Sequence, residues 1–395
     1  MKQILALFTW LLMLGNTYSQ KIVAETDAVA MALKTSRNIS AAELSILQQK
    51  QLLKSSYNLP NTEVFIESPT GNFYTPSITQ SFEFPTVYKK QYILQKQKIV
   101  LAENEKNLTE NELKFQVKQL YLLLQYAVSV QQQLLLQDTV YELISKSSGR
   151  QFDAGQIDFL QKTMAEAEYG EIHKQFIQAQ LSLTNLQKQL QYITGSQEVF
   201  MVAALPLNTM PNDAFALIDS AAIATSPSML ISNQASIISQ KNIDLQKAKS
   251  LPGLALGYFN QGEKGTPIAN RFRFGFTLPL WFAQYKSNIA AAKTEREINL
   301  QKTAGLQQQI MFQLLEAKNE FSINHQNLQY YQNTGIKKAN EIIATAKRFF
   351  ESGQNDYINY LRNINEAYAV QLKYLEAIKN YRQSILSIQY LTGKL

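Results

Sequence analysis

The sequence predicts a mainly α fold with a small β part: two long α-helical hairpins, one per half of a duplicated chain, and four β-strands. Three observations carry this expectation. The chain is written twice, since Arg150, Phe152, Gly155 and Asp158 are answered by Arg348, Phe350, Gly353 and Asp356, and Gln191 to Gly195 by Gln389 to Gly393, with 348−150 and 393−195 both giving 198. So long a period describes two domain-sized halves, not a stack of small modules. Long reaches rich in Gln, Asn, Leu, Ala and Lys lack any breaker, which is the usage of extended helices. In each half one short reach alternates polar or small residues with apolar ones, the period of a strand with one wet and one apolar face.

The first element is a signal peptide over 1–19. Lys2 supplies the positive start, Ile4 to Leu14 the apolar stretch, and Thr17, Tyr18 and Ser19 the approach to a cut before Gln20. Roughly eleven apolar residues cannot cross a ~30 Å hydrocarbon layer, so the segment directs export and does not anchor the chain. The first structural repeat is expected over 20–205. It opens with about thirty helical residues before Leu59 and Pro60, then strands over 62–67 and 74–84 joined through Pro69 to Asn72. After Pro85 no Pro or Gly occurs until Gly149, so residues 86–148 predict one helix of ~95 Å at 1.5 Å per residue. Leu113, Val117, Leu120, Leu124, Ala127, Gln131, Leu134, Asp138 and Tyr141 form its seam, with Gln131 and Asp138 as polar interruptions. The helix is expected to stop at Ser147 to Gly149, turn over Asp153 to Gly155, restart near Gln156 and end at Thr194. Two shorter helices laid end to end then match the single long one.

The second repeat, 206–395, follows the same plan at slightly smaller offsets near its start. Leu251 and Pro252 precede strands over 254–260 and 271–278, joined through Gly262 to Gly265. After Pro279 only Gly305, Gly335, Gly353 and Gly393 punctuate the helices. The last helix carries a seam of Leu361, Ile364, Tyr368, Leu375, Ile378 and Ile385, with Gln371 and Arg382 at the missed steps.

Strands of roughly ten residues in an exported chain suit a transmembrane barrel, where ~9–11 tilted residues cross the layer. Four strands cannot close, and an open edge in lipid leaves backbone groups unpaired. The barrel must be shared with further copies of the chain, and two or three satisfy the strand count. The absence of cysteine excludes disulfides and thiolate metal sites. The formal charge of +7 is scattered, without the basic stripe of a nucleic-acid binder. No Ser/His/Asp set, phosphate loop or paired carboxylates appear, so neither enzyme activity nor a cofactor is expected. The two histidines, His173 and His325, fall at unlike positions of the repeats and read as helix-surface residues. Met164, Met201, Met210, Met229 and Met311 are dispersed and read as core filling. Phe73, Tyr74, Tyr88, Tyr258, Trp281 and Phe282 near the strand ends suit either an aromatic girdle at the membrane boundary or packing at helix–strand junctions. A secreted coiled-coil scaffold or adhesin without a pore is the alternative of a different class.

Signal, duplicated unit, Leu-Pro before each first strand, an aromatic second strand ending at Pro85 or Pro279, and the Arg-x-Phe-x-x-Gly turns together resemble the TolC-like outer membrane efflux protein family. The resemblance implies a homotrimer whose chains give a twelve-stranded barrel in outer membrane lipid, with the helices projecting through the periplasm. It further implies a passive exit duct of a tripartite pump. The duct would be joined by a periplasmic adaptor to an inner-membrane, proton-driven transporter and would carry metal cations or small toxic compounds. The short insertion at 196–212 and the brief tail after Gly393 lean towards the heavy-metal branch. By the same resemblance Arg150, Phe152, Gly155 and Asp158, with Arg348, Phe350, Gly353 and Asp356, are the periplasmic tip, its adaptor contact and its gate. Asp158 and Asp356 fall in the first turn of the following helix, where a carboxylate caps, and capping is preferred there to cation filtering.

Overall fold

The computed structural model describes residues 22–68, 74–207, 220–260, 267–352 and 357–395. The signal segment expected at 1–19 lies outside them. In chain order the elements are α1 (Glu25–Thr35), α2 (Arg37–Lys54), β1 (Glu63–Glu67), β2 (Thr75–Phe82), α3 (Pro85–Asp153) and α4 (Phe159–Thr194). The second repeat gives α5 (Pro227–Lys249), β3 (Gly253–Phe259), β4 (Phe272–Thr277), α6 (Phe282–Tyr330), a π turn (Tyr331–Gly335), α7 (Ile336–Glu351) and α8 (Tyr357–Thr392).

The early helical stretch is broken once, at Ser36, whose ψ of 122° is extended. Its counterpart is Ser226, ψ 132°, ahead of Pro227 at the first position of α5. Proline suits that position because the helix has no use for its missing N–H. Helix α3 is longer than expected, 69 residues against the 63 of 86–148. It absorbs Gly149 and runs on to Asp153, because one helical glycine costs only about 1 kcal/mol against the packing of the whole face. The reversal falls at Gly155, φ +69°, and the chain re-enters helix at Phe159, not near Gln156.

The strands lie where the alternation put them but are shorter than ten residues, at five, eight, seven and six. They form one antiparallel sheet in the order β1-β2-β3-β4. In the second hairpin Gly305 does not interrupt α6, whereas Gly335 closes the π turn. The distance from helix start to tip arginine is 65 residues in the first repeat (150−85) and 66 in the second (348−282). The π turn takes up that extra residue, since it holds one more residue per turn than the α-helix around it.

The chain divides into two compact units, each drawing on both repeats. One comprises Met1–Ser36, Leu113–Phe215 and Ala317–Ile388. Its core joins Ala28, Val117, Leu124 and Leu190 in one cluster and Tyr141, Ile172, Tyr357 and Ile364 in another. The buried valine, leucine and isoleucine side chains contribute about 1.5–3 kcal/mol each by leaving water. Val23 lies along Met201, and Tyr121 donates to the Val23 carbonyl at 2.8 Å. Within the inter-repeat segment Phe200, Val202 and Leu205 are buried, while Arg382 and Tyr374 donate to the carbonyls of Pro206 and Leu207. The other unit comprises Arg37–Glu112, Ala216–Glu316 and Gln389–Leu395 and holds the sheet; its buried cluster is Val87, Leu245 and Ala248.

Helices α4 and α8 end alike. Gly195 and Gly393, φ +65° and +69°, send their N–H groups to Tyr192 and Tyr390, and the next residues reach back to Gln191 and Gln389. Each end abuts the broken helix of its own repeat: a Cβ on Gly195 would lie 3.1 Å from Thr35 Cβ, and one on Gly393 would lie 2.8 Å from Pro227 Cδ.

Candidate functional site

The sheet has two unlike faces. Val64, Ile78, Tyr258 and Phe272 share one cross-strand row, and Phe82, Leu254 and Phe276 another. Because side chains alternate, Ile66, Leu256 and Phe274 lie on the same side. That face is bare: Phe274 is 83% exposed, Phe276 74% and Ile66 72%. The opposite face carries Thr75, Ser77, Thr79, Ser81, Gly253, Ala255, Gly257 and Gly275. There Arg273 stacks on the Phe259 ring, 3.8 Å from its centroid. An apolar face backed by a small and polar one is the alternation of transmembrane barrel strands. No fifth strand flanks β1 or β4 among the described residues.

The aromatic residues near the strand ends divide. Tyr74, Trp281 and Phe282 stand 77%, 80% and 62% exposed beside Leu280, as a girdle requires. Tyr88 and Tyr258 are half-buried, the first accepting a hydrogen bond from Glu83 N–H and the second lying edge-on to Phe272. Phe73 lies outside the described residues.

The tips come next. Asp158 is the N-cap of α4: its carboxylate accepts from Gln161 N–H at 2.7 Å and the Gln161 side chain returns to Asp158 N–H at 3.3 Å. This capping box satisfies two otherwise orphaned donors. Phe152 packs edge-on to Phe159, ring centroids 6.0 Å apart, with the Lys162 ammonium 5.0 Å over its face. Phe350 is clamped harder, stacked on Tyr360 at 4.6 Å and edge-on to Tyr357 at 5.0 Å. The Tyr357 hydroxyl donates to Ile144 O at 2.6 Å and ties α8 to α3. Arg150 and Arg348 are exposed, the latter donating to its own helix at Ala344. Gly353 and Asp356 lie outside the described residues. Phe159, Lys162, Tyr357 and Tyr360 were not singled out from the sequence, although Phe159 and Tyr357 repeat the 198-residue offset as an aromatic pair.

Behind the tips runs a partly polar layer. Tyr141 is wholly buried beside Tyr368, and burial pushes its hydroxyl far above the ordinary tyrosine range, with the Glu168 carboxylate adding to the effect. Asn365 donates to Glu168 at 2.9 Å. His173 is exposed on the surface of α4, as expected, with Nδ1 3.0 Å from Asp138, whereas His325 is half-buried, stacked on Phe321 against Tyr381. Met229 fills core, whereas Met311 and Met201 are 63% and 43% exposed; Met210 lies outside the described residues. Among the described residues no group of acidic and histidine side chains is placed to hold a metal, and no helix is long and apolar enough to cross a membrane.

The chain thus combines a four-stranded sheet that has one apolar face with two long helical hairpins. Residues 219–394 match the family model described as outer membrane efflux protein. Among solved structures the chain is similar to CusC, at 15% identity over 93% of this chain and 92% of that one, with a TM-score of 0.75. It is also similar to the CmeC outer membrane channel of Campylobacter jejuni, at 14% identity, 96% and 90% coverage and a TM-score of 0.76. Similarity to the outer membrane protein VceC of Vibrio cholerae is 10% in sequence, with coverages of 93% and 96% and a TM-score of 0.76. No curated protein sequence matches. By sequence the second repeat is similar to outer membrane efflux proteins, and by fold nearly the whole chain is similar to these solved structures.

Proposed function

We propose that three copies of this chain form a twelve-stranded barrel and a helical tunnel, a passive exit duct for a tripartite pump. The observation that carries the reading is the four-stranded sheet with a bare apolar face and, among the described residues, two unpartnered edges. Such edges are untenable in lipid unless further copies pair with them. A secreted scaffold has no use for Phe272, Phe274 and Phe276 in water. Two repeats, 20–205 and 206–395, each supply one hairpin of strands and one of helices. Arg150, Phe152, Gly155 and Asp158, with Arg348, Phe350, Gly353 and Asp356, form the periplasmic tips that meet the adaptor and narrow the bore. An inner-membrane, proton-driven transporter supplies the work, and the cargo is metal cations or small toxic compounds. Opening is the splaying of the tips, favoured by a partner that binds the splayed state better.

Reconstitution in planar bilayers and an export assay with the double variant Gly155→Leu and Gly353→Leu test this together. The parent protein should conduct ions as a trimer, and the variant should remain trimeric but fail to export. A soluble, non-conducting parent would refute the channel, and normal export by the variant would refute the tip assignment.

A further inference from the structure

The two open edges of the sheet carry opposite charge on the same face. On β1, Glu63 and Glu67 point to the side of Thr79 and Ser77, with Phe65 between them; on β4, Arg273 points to that side too. Glu63 and Arg273 even occupy one cross-strand row, through Thr79 and Gly257. All three charged side chains are exposed, and among the described residues none of them enters an ion pair within the chain. A charge on the lipid face would be costly, and these lie on the other face, the side of the small and polar residues.

We infer that Glu63 and Glu67 of one copy pair with Arg273 of the next and set the direction and register in which copies join. The inference rests on the channel reading above. Copies that close a ring join β4 to the next copy's β1, a head-to-tail contact. The pairing is antiparallel without rearrangement, because β1 runs towards the 68–74 connection and β4 runs away from the 260–271 connection at the same end of the sheet. Keeping Phe272, Phe274 and Phe276 on the face of Val64 and Ile66 restricts the register to even steps, since a slip of one residue would turn every side chain over. Among the even registers Arg273 falls opposite Glu63 or Glu67, or opposite Phe65 with both carboxylates diagonal to it. Opposite charges so placed on neighbouring strands attract, and like charges repel. The mispairing this prevents is β1 against β1. There carboxylate would face carboxylate, and the antiparallel run would send the two helical parts to opposite ends of the sheet.

The chain has no cysteine, so introduced pairs report without background. In the full chain in outer membranes, Arg273→Cys is combined in turn with Glu63→Cys, Phe65→Cys and Glu67→Cys, and the products of oxidation are read on non-reducing gels. One combination should give ladders of two and three chains, because directly opposed Cβ atoms lie within disulfide reach. In parallel, Arg273→Glu should shift the trimer towards monomer by about tenfold, and adding Glu63→Lys and Glu67→Lys should restore it. Trimers that give no ladder with any combination, or that are as stable with Arg273→Glu as without, would overturn the pairing and leave the channel intact. Failure of the unaltered chain to form trimers would overturn both.

Discussion

Phe152 and Phe350 occupy matching positions of the two repeats in different company. Phe152 has a lysine over its face and the 67%-exposed Phe159 at its edge, while Phe350 is sandwiched by two tyrosines, one of them anchored across to α3. Substitution at 159/357 and at 162/360 accounts for the difference: Phe for Tyr removes the anchoring hydroxyl, and Lys for Tyr replaces a stack by a cation. Asp158 has a structural role, as the cap of α4. Asp158→Ala should lower stability by about 1 kcal/mol through loss of the cap, while Asp158→Asn should retain most of it. Denaturant midpoints of the purified protein check the stability, and the ion selectivity of single channels should stay unchanged in both variants. The cap was legible in the sequence, because Asp158 follows a glycine turn at the start of a helix, whereas its partner Gln161 was not singled out. The aromatic clamp was not, since nothing in a helical sequence says which of many tyrosines will face a neighbouring helix.

Among the elements, strands were the easiest to read and helix ends the hardest. Alternation located β2 and β4 within a few residues, and β1 and β3 were read as the strands that precede them. The end of α3 was missed, since Gly149 looks like a stop only if packing is ignored. The π turn left a trace that numbering alone could not interpret: the offset rises from 194 at the strands to 198 at the tips, and part of that rise lies in the loop before Phe282. If the turn simply absorbs one extra residue, deleting Thr334 should convert it to regular helix and leave melting nearly unchanged. Deleting Ala317 instead should turn Ile310 and Leu314 about 100° away from their packed face and destabilise the protein strongly. Circular dichroism melts of the two deletions distinguish these outcomes.

On the scale of the molecule, the sequence repeat and the packing units run across each other. The repeat could be read from spacing, but the units could not, because each gathers helices from both halves. The units also differ in chemistry. The one bearing the tips buries Tyr141, Tyr357, Tyr360, Tyr374 and Tyr381 and half-buries Tyr368, and burial raises every one of these hydroxyls above the ordinary value of 10.0. A raised tyrosine favours the folded state while it stays neutral, so stability is constant below about pH 10 and falls as pH rises through the folded values. Alkaline unfolding should therefore begin in the helices around Tyr141, and Tyr141→Phe should move its midpoint upward; hydrogen exchange between pH 9 and 12 would show whether that region opens first.

The unequal aromatic settings at the two reversals have a consequence for assembly arithmetic. In the proposed ring of three chains the six hairpin ends would alternate between an open pattern at Phe152 and a clamped one at Phe350, so a docking partner built from six equal subunits would meet two kinds of landing place.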